Sequence, residues 1–149
     1  MKAVIQRVKY TSLSVGGKLV SEIPFGLAVY LGIKCGDRED QAEQIANKIS
    51  KLRIFEDEYG KMNLSVSEVG GEILLISQFT LYGDCSHGNR PSFIDAERPE
   101  PANTLYEYTA EKLRGLGMIV KTGVFGADMF INQSNDGPVT IIYEISFIG

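Results

Sequence analysis

The sequence predicts an α/β fold in which mixed β-sheets pack in layers with two main helices on one side. About eight segments are rich in β-branched and other apolar residues, which is typical of strands. Only two segments have apolar residues at helical spacing. Because two helices cannot cover both faces of so large a sheet, part of the β structure must pack on itself or on another subunit. We expect residues 1–149 to form a single domain.

A hairpin and a buried strand are predicted near the start of the chain. Residues 2–8 and residues 12–15 are rich in side chains that favour strands. Gly16-Gly17 is a two-residue turn signal that leads into a further strand, so a hairpin is expected here. Residues 27–33 are almost wholly apolar, as expected for a strand that is buried on both faces.

The first helix follows, with Asp37 as its expected N-cap. Its apolar side chains recur along one face, at Ala42, Ile45, Ala46, Ile49 and Leu52. Lys48, Lys51 and Arg53 lie near its C-terminal end, where cations suit the helix dipole. These three residues are also candidates for a local basic patch, although a solvated helix face explains them equally well.

The second half of the chain is predicted to contain the strongest strand and the second helix. The strand covers residues 72–81, and a loop rich in glycine and polar residues follows at 83–92. Pro99 and Pro101 begin the helix, because proline is tolerated in a first helical turn, and Gly115 is the expected C′ residue. The helix has apolar residues at Leu105, Tyr106, Ala110 and Leu113. Further strands are predicted at residues 64–66, 119–124, 129–132 and 139–145.

Composition and charge restrict the classes of function. Apolar residues make up 44% and charged residues 23% of the chain, which is typical of globular proteins rather than disordered ones. The net charge of −4 argues against broad nucleic-acid binding, and we expect no DNA partner. No apolar run approaches the roughly 20 residues of a membrane helix, and no secretory signal opens the chain. We therefore expect a cytoplasmic protein with no membrane partner.

Few side chains are available for metal or imidazole chemistry. Cys35, Cys85 and His87 are the only cysteines and the only histidine, too few for the four ligands of a structural zinc site. We expect no metal, no cofactor and two reduced thiols. A Ser-His-Asp triad would have to use His87.

The segment Ser77-Gln78-Phe79-Thr80-Leu81 is the first candidate site. It places polar residues at the end of an apolar strand and before a glycine-rich loop, where active sites are common. Thr80 could be a nucleophile only with a base within hydrogen-bond reach. The alternative is that Ser77 and Thr80 satisfy backbone groups at a sheet edge.

Two later segments are weaker candidates when taken singly. Asn135-Asp136-Gly137-Pro138-Val139-Thr140 has the composition of a tight turn before a strand. Phe125 and Met129 could line a small pocket, although core packing is the commoner explanation for both.

Taken together, residues 77–81 and residues 135–140 resemble the two signature motifs of the D-aminoacyl-tRNA deacylase family. The resemblance covers the chain through about residue 144 and includes residues 1–8, 89–93 and 125–129. The loop at residues 83–87 and the tail at residues 145–149 are individual to this chain.

The resemblance implies a homodimeric hydrolase that cleaves the ester between a D-amino acid and the 3′ end of tRNA, and that also clears glycine mischarged on tRNA. Its partner is the acceptor end of aminoacyl-tRNA. The implied catalytic residues are Ser77, Gln78, Phe79 and Thr80. The implied substrate-binding residues are Phe125, Met129, Gly137 and Pro138. The Gly137-Pro138 peptide is expected to be cis, to enter the other subunit's site and to exclude L-amino acids.

Several mechanistic alternatives stay open at the level of sequence. The backbone amides of Phe79 and Thr80 are the expected donors to the oxyanion of ester hydrolysis. Either the 2′-hydroxyl of the terminal adenosine assists, as is thought for the family, or Thr80 itself attacks. Alternatives from other classes are a non-catalytic tRNA- or nucleotide-binding dimeric module and a dimeric scaffold in which Gly137-Pro138 is only a turn.

Overall fold

The computed structural model describes residues 1–145 and contains, within them, eight strands and two α-helices. In chain order the elements are β1 (Lys2–Val15), β2 (Lys18–Ile23), β3 (Gly26–Gly32), α1 (Glu39–Lys51), β4 (Phe55–Glu56), β5 (Met62–Leu64), β6 (Glu72–Ser77), a 3₁₀ turn (Phe79–Tyr82), α2 (Pro99–Gly115), β7 (Val120–Thr122) and β8 (Met129–Glu144). The predicted α/β class with two main helices is confirmed.

Six of the strands form one mixed sheet. β1 lies antiparallel to β3 along its first half, to β2 along its second half and to β8 along its full length. β3, β6 and β7 are parallel neighbours. β4 and β5 form a separate two-stranded hairpin. The prediction of mixed β structure therefore holds, with most strands in a single sheet.

The large sheet is buried on both faces. Leu27, Val29 and Leu31 share one core with buried residues of α1 and α2. Because side chains alternate along a strand, Ala28 lies on the opposite face. There it belongs to a second core to which only strand residues contribute, including Leu13 of β1. Both helices are thus on one side, and part of the β structure packs on itself, as expected.

The ends of the helices differ from the prediction in two places. Arg38, not Asp37, is the N-cap of α1. The Asp37 carboxylate instead accepts a hydrogen bond from the Lys34 amide at 2.7 Å and pairs with the Met1 ammonium at 2.7 Å, so it is used in a tertiary contact. Gly115 is the last residue of α2 rather than C′, and Gly117, with φ of 91°, has the left-handed conformation.

The observed strands β1 and β8 are longer than the strands predicted from the sequence. Residues 2–8 and 12–15 are parts of one strand, β1. Residues 129–132 and 139–144 likewise belong to β8, so no turn separates two strands at residues 135–138. β8 pairs with β1 on both sides of this segment, but the pairing passes from Val8 with Asn135 to Gln6 with Thr140, and residues 136–139 have no partner in β1.

Three smaller corrections concern strand ends. β6 stops at Ser77, because the chain turns into the 3₁₀ turn instead of continuing to residue 81. The short strand expected at residues 64–66 is β5, which ends at Leu64, where it pairs with Phe55 of β4. The tail noted as individual to this chain lies outside the described residues, apart from Ile145.

Within residues 1–145, no helix is long and apolar enough to cross a membrane.

Candidate functional site

A cavity of about 520 Å³ opens where β6 ends. Leu31, Ile33 and Ile76 contribute apolar side chains to its lining. Of the eight site residues predicted from the sequence, five line it: Ser77, Gln78, Phe79, Phe125 and Met129. Most of the candidate residues, which are up to 52 positions apart in the sequence, therefore meet at one place.

The 3₁₀ turn forms because β6 leaves the sheet after Ser77. The Gln78 amide still donates to the Leu31 carbonyl of β3 at 2.8 Å, and the Gly83 amide donates to the Thr80 carbonyl at 3.0 Å. Phe79 and Thr80 are the first two residues of the turn, so their N–H groups have no acceptor inside it. No side chain caps these groups. The turn thus presents two amide donors.

Gly32 permits this position of the turn. A Cβ atom on Gly32 would lie 3.1 Å from the Gln78 carbonyl oxygen and 3.1 Å from the Leu81 Cβ. A Cβ atom here would force the turn to shift by a few tenths of an ångström, so glycine lets the turn lie directly on β3.

Among residues 1–145, the side-chain contacts around the turn include no acid–base pair with Thr80. The Gln78 side-chain amide donates a close hydrogen bond to the Thr80 hydroxyl. The Phe79 ring, which is 54% exposed, makes an edge-to-face contact with Phe93 at 5.1 Å between centroids. Among the described residues, no hydrogen bond joins His87 to Thr80. The triad that would have needed His87 is therefore not formed.

Phe125 and Met129, which form one wall of the cavity, pack against residues outside it. The Tyr106 ring lies edge-on to Phe125 at 6.1 Å, and its hydroxyl donates to the Leu75 carbonyl at 2.5 Å. Burial raises the pKa of Tyr106 to about 12, so the hydroxyl stays protonated and can donate. A Cβ atom on Gly123 would lie 2.6 Å from the Met129 sulfur, so this glycine leaves room for Met129.

Gly137 and Pro138 are not part of this cavity. They lie exposed in the middle of β8, and the peptide between them is cis, as expected. Neither residue lines the cavity of its own chain. Within one chain, the structure therefore does not bring together the two motifs that the sequence singled out.

Arg7 is a residue that sequence reasoning missed as a site residue. It is only 5% exposed, and its Nε atom lies 3.2 Å from the Asp136 carboxylate and 3.3 Å from the Asp136 carbonyl. Its Nη1 atom donates to the Ile54 carbonyl at 2.8 Å. Arg7 thereby anchors the segment immediately before Gly137. The available signal was a charged residue within a predicted apolar strand, because a buried charge needs dedicated partners.

Most of the basic residues suggested as a patch at the end of α1 contact other groups of the protein. The Lys48 ammonium lies 5.2 Å from the centroid of the Tyr143 ring. The Arg53 Nε atom donates to the Asn63 carbonyl at 2.9 Å. Two of the three suggested residues are thus in contact with neighbouring groups.

No cluster of three or more histidine, cysteine, aspartate or glutamate side chains able to hold a metal ion occurs among residues 1–145. The site is therefore described by its apolar walls, its amide donors and the hydroxyl of Thr80.

An α/β fold with a mostly apolar cavity and a few convergent polar groups defines a protein with a small-ligand site at the end of a strand. The family model for D-Tyr-tRNA(Tyr) deacylase matches residues 4–144. Proteins named D-aminoacyl-tRNA deacylase from Anoxybacillus flavithermus and from Bacillus cereus are each 54% identical to this chain over 144 residues. The matches cover 97% of this chain and 99% of each relative. The chain belongs to this deacylase family, and the prediction of a hydrolase is confirmed.

Two solved structures share the fold. One, described as c-Myc DNA Unwinding Element Binding Protein, has a TM-score of 0.93 at 43% identity and covers 99% of this chain and 100% of its own. The other, described as a probable eukaryotic D-amino acid tRNA deacylase, has a TM-score of 0.84 at 18% identity. It covers 97% of this chain and 98% of its own, and at that identity it shows the fold alone.

Proposed function

We propose that this protein hydrolyses the ester bond of D-aminoacyl-tRNA and releases the free D-amino acid and tRNA. The observation that carries the proposal is the cavity that Gln78 and Phe79 line together with Phe125 and Met129. Membership of the deacylase family supports the same reaction. The acceptor end of the aminoacyl-tRNA enters this cavity, and the reaction takes place in the cytoplasm.

Backbone groups supply the main stabilisation of the transition state. When water attacks the ester carbonyl carbon, negative charge develops on the carbonyl oxygen. The amides of Phe79 and Thr80, which have no acceptor inside the turn, donate to that oxygen. The carbon–oxygen bond to the tRNA then breaks, and the 3′-hydroxyl leaves with a proton. Such donors need no reorganisation during the reaction, because the turn already holds them.

The 2′-hydroxyl of the terminal adenosine assists the attacking water, and Thr80 acts as a positioning residue. Two features support this assignment over attack by Thr80. The Thr80 hydroxyl is hydrogen-bonded to the Gln78 amide, which is not a base. Among the described residues, no imidazole or carboxylate is hydrogen-bonded to the Thr80 hydroxyl, whereas a nucleophilic hydroxyl needs such a base.

Selection against L-amino acids comes from the partner subunit. Gly137 and Pro138 project from β8 of one subunit into the cavity of the other, where their backbone carbonyls fill the space of an L side chain. Their exposure and their absence from their own chain's cavity support this arrangement. Rejection by a steric clash requires a rigid element, and the contacts of Arg7 with Asp136 supply one. Because glycine has no side chain to reject, glycyl-tRNA is also a substrate.

The homodimer that this arrangement requires is supported by the surface of β8. One edge of β8 pairs with β1, and no other strand among the described residues pairs with it. Phe130 and Ile142 on this strand are each 68% exposed. An unpaired edge with exposed apolar side chains is a surface that another chain can cover. We assign that chain as a second copy.

The test is deacylation by the purified protein of matched D-aminoacyl-, L-aminoacyl- and glycyl-tRNA. We expect the D and glycyl esters to be hydrolysed and the L ester to be spared. Equal hydrolysis of D and L esters would overturn the chirality assignment. Binding of tRNA without hydrolysis of any ester would support the non-catalytic binding module instead. The name of one structural relative refers to a DNA element, but the net charge of −4 gives no reason to extend DNA binding to this chain.

A further inference from the structure

We propose that Lys2 is a positioning residue that holds the C-terminal end of the 3₁₀ turn, and through it the amides of Phe79 and Thr80. The proposal rests on the proposed function in one respect, namely that these amides stabilise the charge on the ester carbonyl. The contact on which it depends joins residues 79 positions apart: the Lys2 ammonium donates to the Leu81 carbonyl oxygen at 3.2 Å.

The register of the sheet explains why Lys2 reaches the turn. Lys2 is the first residue of β1 and pairs directly with Gly32 of β3. Side chains of directly paired residues project from the same face of a sheet. The face on which Gly32 leaves room for the turn is therefore the face from which the Lys2 side chain extends. A bulkier residue at position 32 would occupy the space that the turn fills.

Two further contacts hold the Lys2 side chain in place. Its ammonium lies 5.0 Å from the centroid of the Tyr82 ring, within the range of a cation–π interaction. Tyr82 is the last residue of the turn and is only 7% exposed. The Lys2 side chain thus contacts the turn at two adjacent residues, one through hydrogen bonding and one through the ring.

The chemistry of a helix end makes this contact effective. The last carbonyl groups of a helical turn lack donors within the turn, and a cationic side chain can supply one. At the other end, the Gln78 amide is bonded to the Leu31 carbonyl. The turn is therefore tied to β3 at its beginning and to β1 at its end. Without Lys2, the second tie is lost and the two amide donors are free to shift.

Kinetic comparison of Lys2→Met with the wild type tests the proposal, with Lys2→Arg as the conservative variant and Lys18→Met as the control. Lys18 is exposed on β2, and substitution there should leave activity unchanged. We expect Lys2→Met to lower kcat about ten- to a hundredfold, because small misplacements of catalytic groups are costly. KM should stay within about threefold, since the cavity walls are intact. Lys2→Arg should restore most of kcat.

Hydrogen exchange supplies a readout that does not depend on activity. The Leu81 and Gly83 amides are bonded within the turn and report its opening. In Lys2→Met they should exchange about tenfold faster, while the amides of α1 and α2 are unchanged. Unchanged exchange at the turn, or equal acceleration throughout the protein, would overturn the proposal. So would an unchanged kcat in an active enzyme.

The test also distinguishes a variant that does not fold from a wild-type protein that hydrolyses no ester. If Lys2→Met does not fold, Lys2→Gln takes its place, because its side chain stays polar but is shorter and uncharged, so it loses the reach of the ammonium and the cation–π contact with Tyr82. Wild-type exchange at the turn in that variant would contradict the proposal. If the wild-type protein hydrolyses none of the esters, the proposed function fails. The hydrogen-exchange result still decides whether Lys2 holds the turn.

Discussion

Thr80 lies in the 3₁₀ turn with its side chain exposed, and its hydroxyl accepts a hydrogen bond from the Gln78 amide. A nucleophilic hydroxyl instead donates to a base, which withdraws its proton during attack. At the scale of single residues, the site is therefore better suited to positioning a substrate than to forming a covalent intermediate. In the proposed mechanism, the reactive groups are the amides of Phe79 and Thr80 and the 2′-hydroxyl of the substrate.

Substitution of Thr80 tests this interpretation. Thr80→Ala should keep a substantial part of the deacylase activity, because the backbone amides remain. A nucleophile would instead show a loss of several orders of magnitude, as for residues of catalytic triads. The measurement is single-turnover deacylation, with His87→Ala as a control that should stay within a few-fold of wild type. Mass-spectrometric detection of an acyl group on Thr80 would contradict the prediction.

At the scale of secondary-structure elements, two segments carry the proposed site: the 3₁₀ turn after β6 and the middle of β8. Each depends on one residue from a different strand. Gly32 of β3 leaves the space in which the turn lies. Arg7 of β1 bonds the carbonyl and the carboxylate of Asp136 next to Gly137. Substitutions at these two supports should therefore have separable effects on catalysis and on discrimination.

Gly32→Ala should displace the 3₁₀ turn. The added Cβ would lie 3.1 Å from the Gln78 carbonyl oxygen, so the turn has to move by a few tenths of an ångström. We expect kcat to fall about ten- to a hundredfold. Gly115→Ala at the end of α2 is the matched control, because its Cβ meets nothing within 4 Å. It should leave activity unchanged and change the unfolding free energy by less than about 1 kcal/mol. A fully active Gly32→Ala enzyme would contradict the prediction.

Arg7→Met should lower both the free energy of unfolding and the preference for D over L esters. The Ile54 carbonyl loses its charged donor, and the Asp136 groups lose theirs. Leaving the buried Ile54 carbonyl unpaired costs about 1–3 kcal/mol, which urea unfolding would measure. The ratio of D to L ester hydrolysis should fall, because Gly137-Pro138 loses its anchor. Arg53→Met, at an exposed arginine that donates to the Asn63 carbonyl, should leave that ratio unchanged.

At the scale of the whole molecule, each subunit of the proposed homodimer contributes to two sites, its own and that of its partner. In each proposed site, one subunit contributes the cavity and the 3₁₀ turn, and the other contributes the exposed segment around Gly137. The long β8 strand connects them, because it contributes Met129 to the cavity lining at its beginning and Gly137 further along. Dimerisation and activity should therefore be lost together.

Ile142→Lys tests this coupling. Ile142 is 68% exposed on β8, and a charge there would be buried without a partner in a dimer. We expect light scattering to show a shift from dimer to monomer, together with loss of D-specific deacylation. Tyr59→Lys, at a residue that is 78% exposed between β4 and β5, should remain an active dimer. A monomer that still discriminates D from L esters would refute the cross-subunit arrangement.

The features that the sequence alone determined are those encoded over short stretches. The apolar spacing of residues 42–52 predicted α1, and the prolines at 99 and 101 predicted the start of α2. The resemblance identified the family, and five of the site residues that it implied line the cavity. Apolar periodicity and the placement of proline act within a few residues, so they can be recognised without knowledge of the fold.

The features that only the tertiary structure decided are those that depend on distant pairing. Residues 129–144 form one strand rather than two strands joined by a turn, because β8 pairs with β1 on both sides of the unpaired residues 136–139. The contacts of Lys2 with Leu81 and of Arg7 with Asp136 join residues 79 and 129 positions apart. Such contacts follow from strand order and register, which local sequence does not encode. For the same reason the space that Gly32 leaves for the turn became visible only once β6 was placed beside β3.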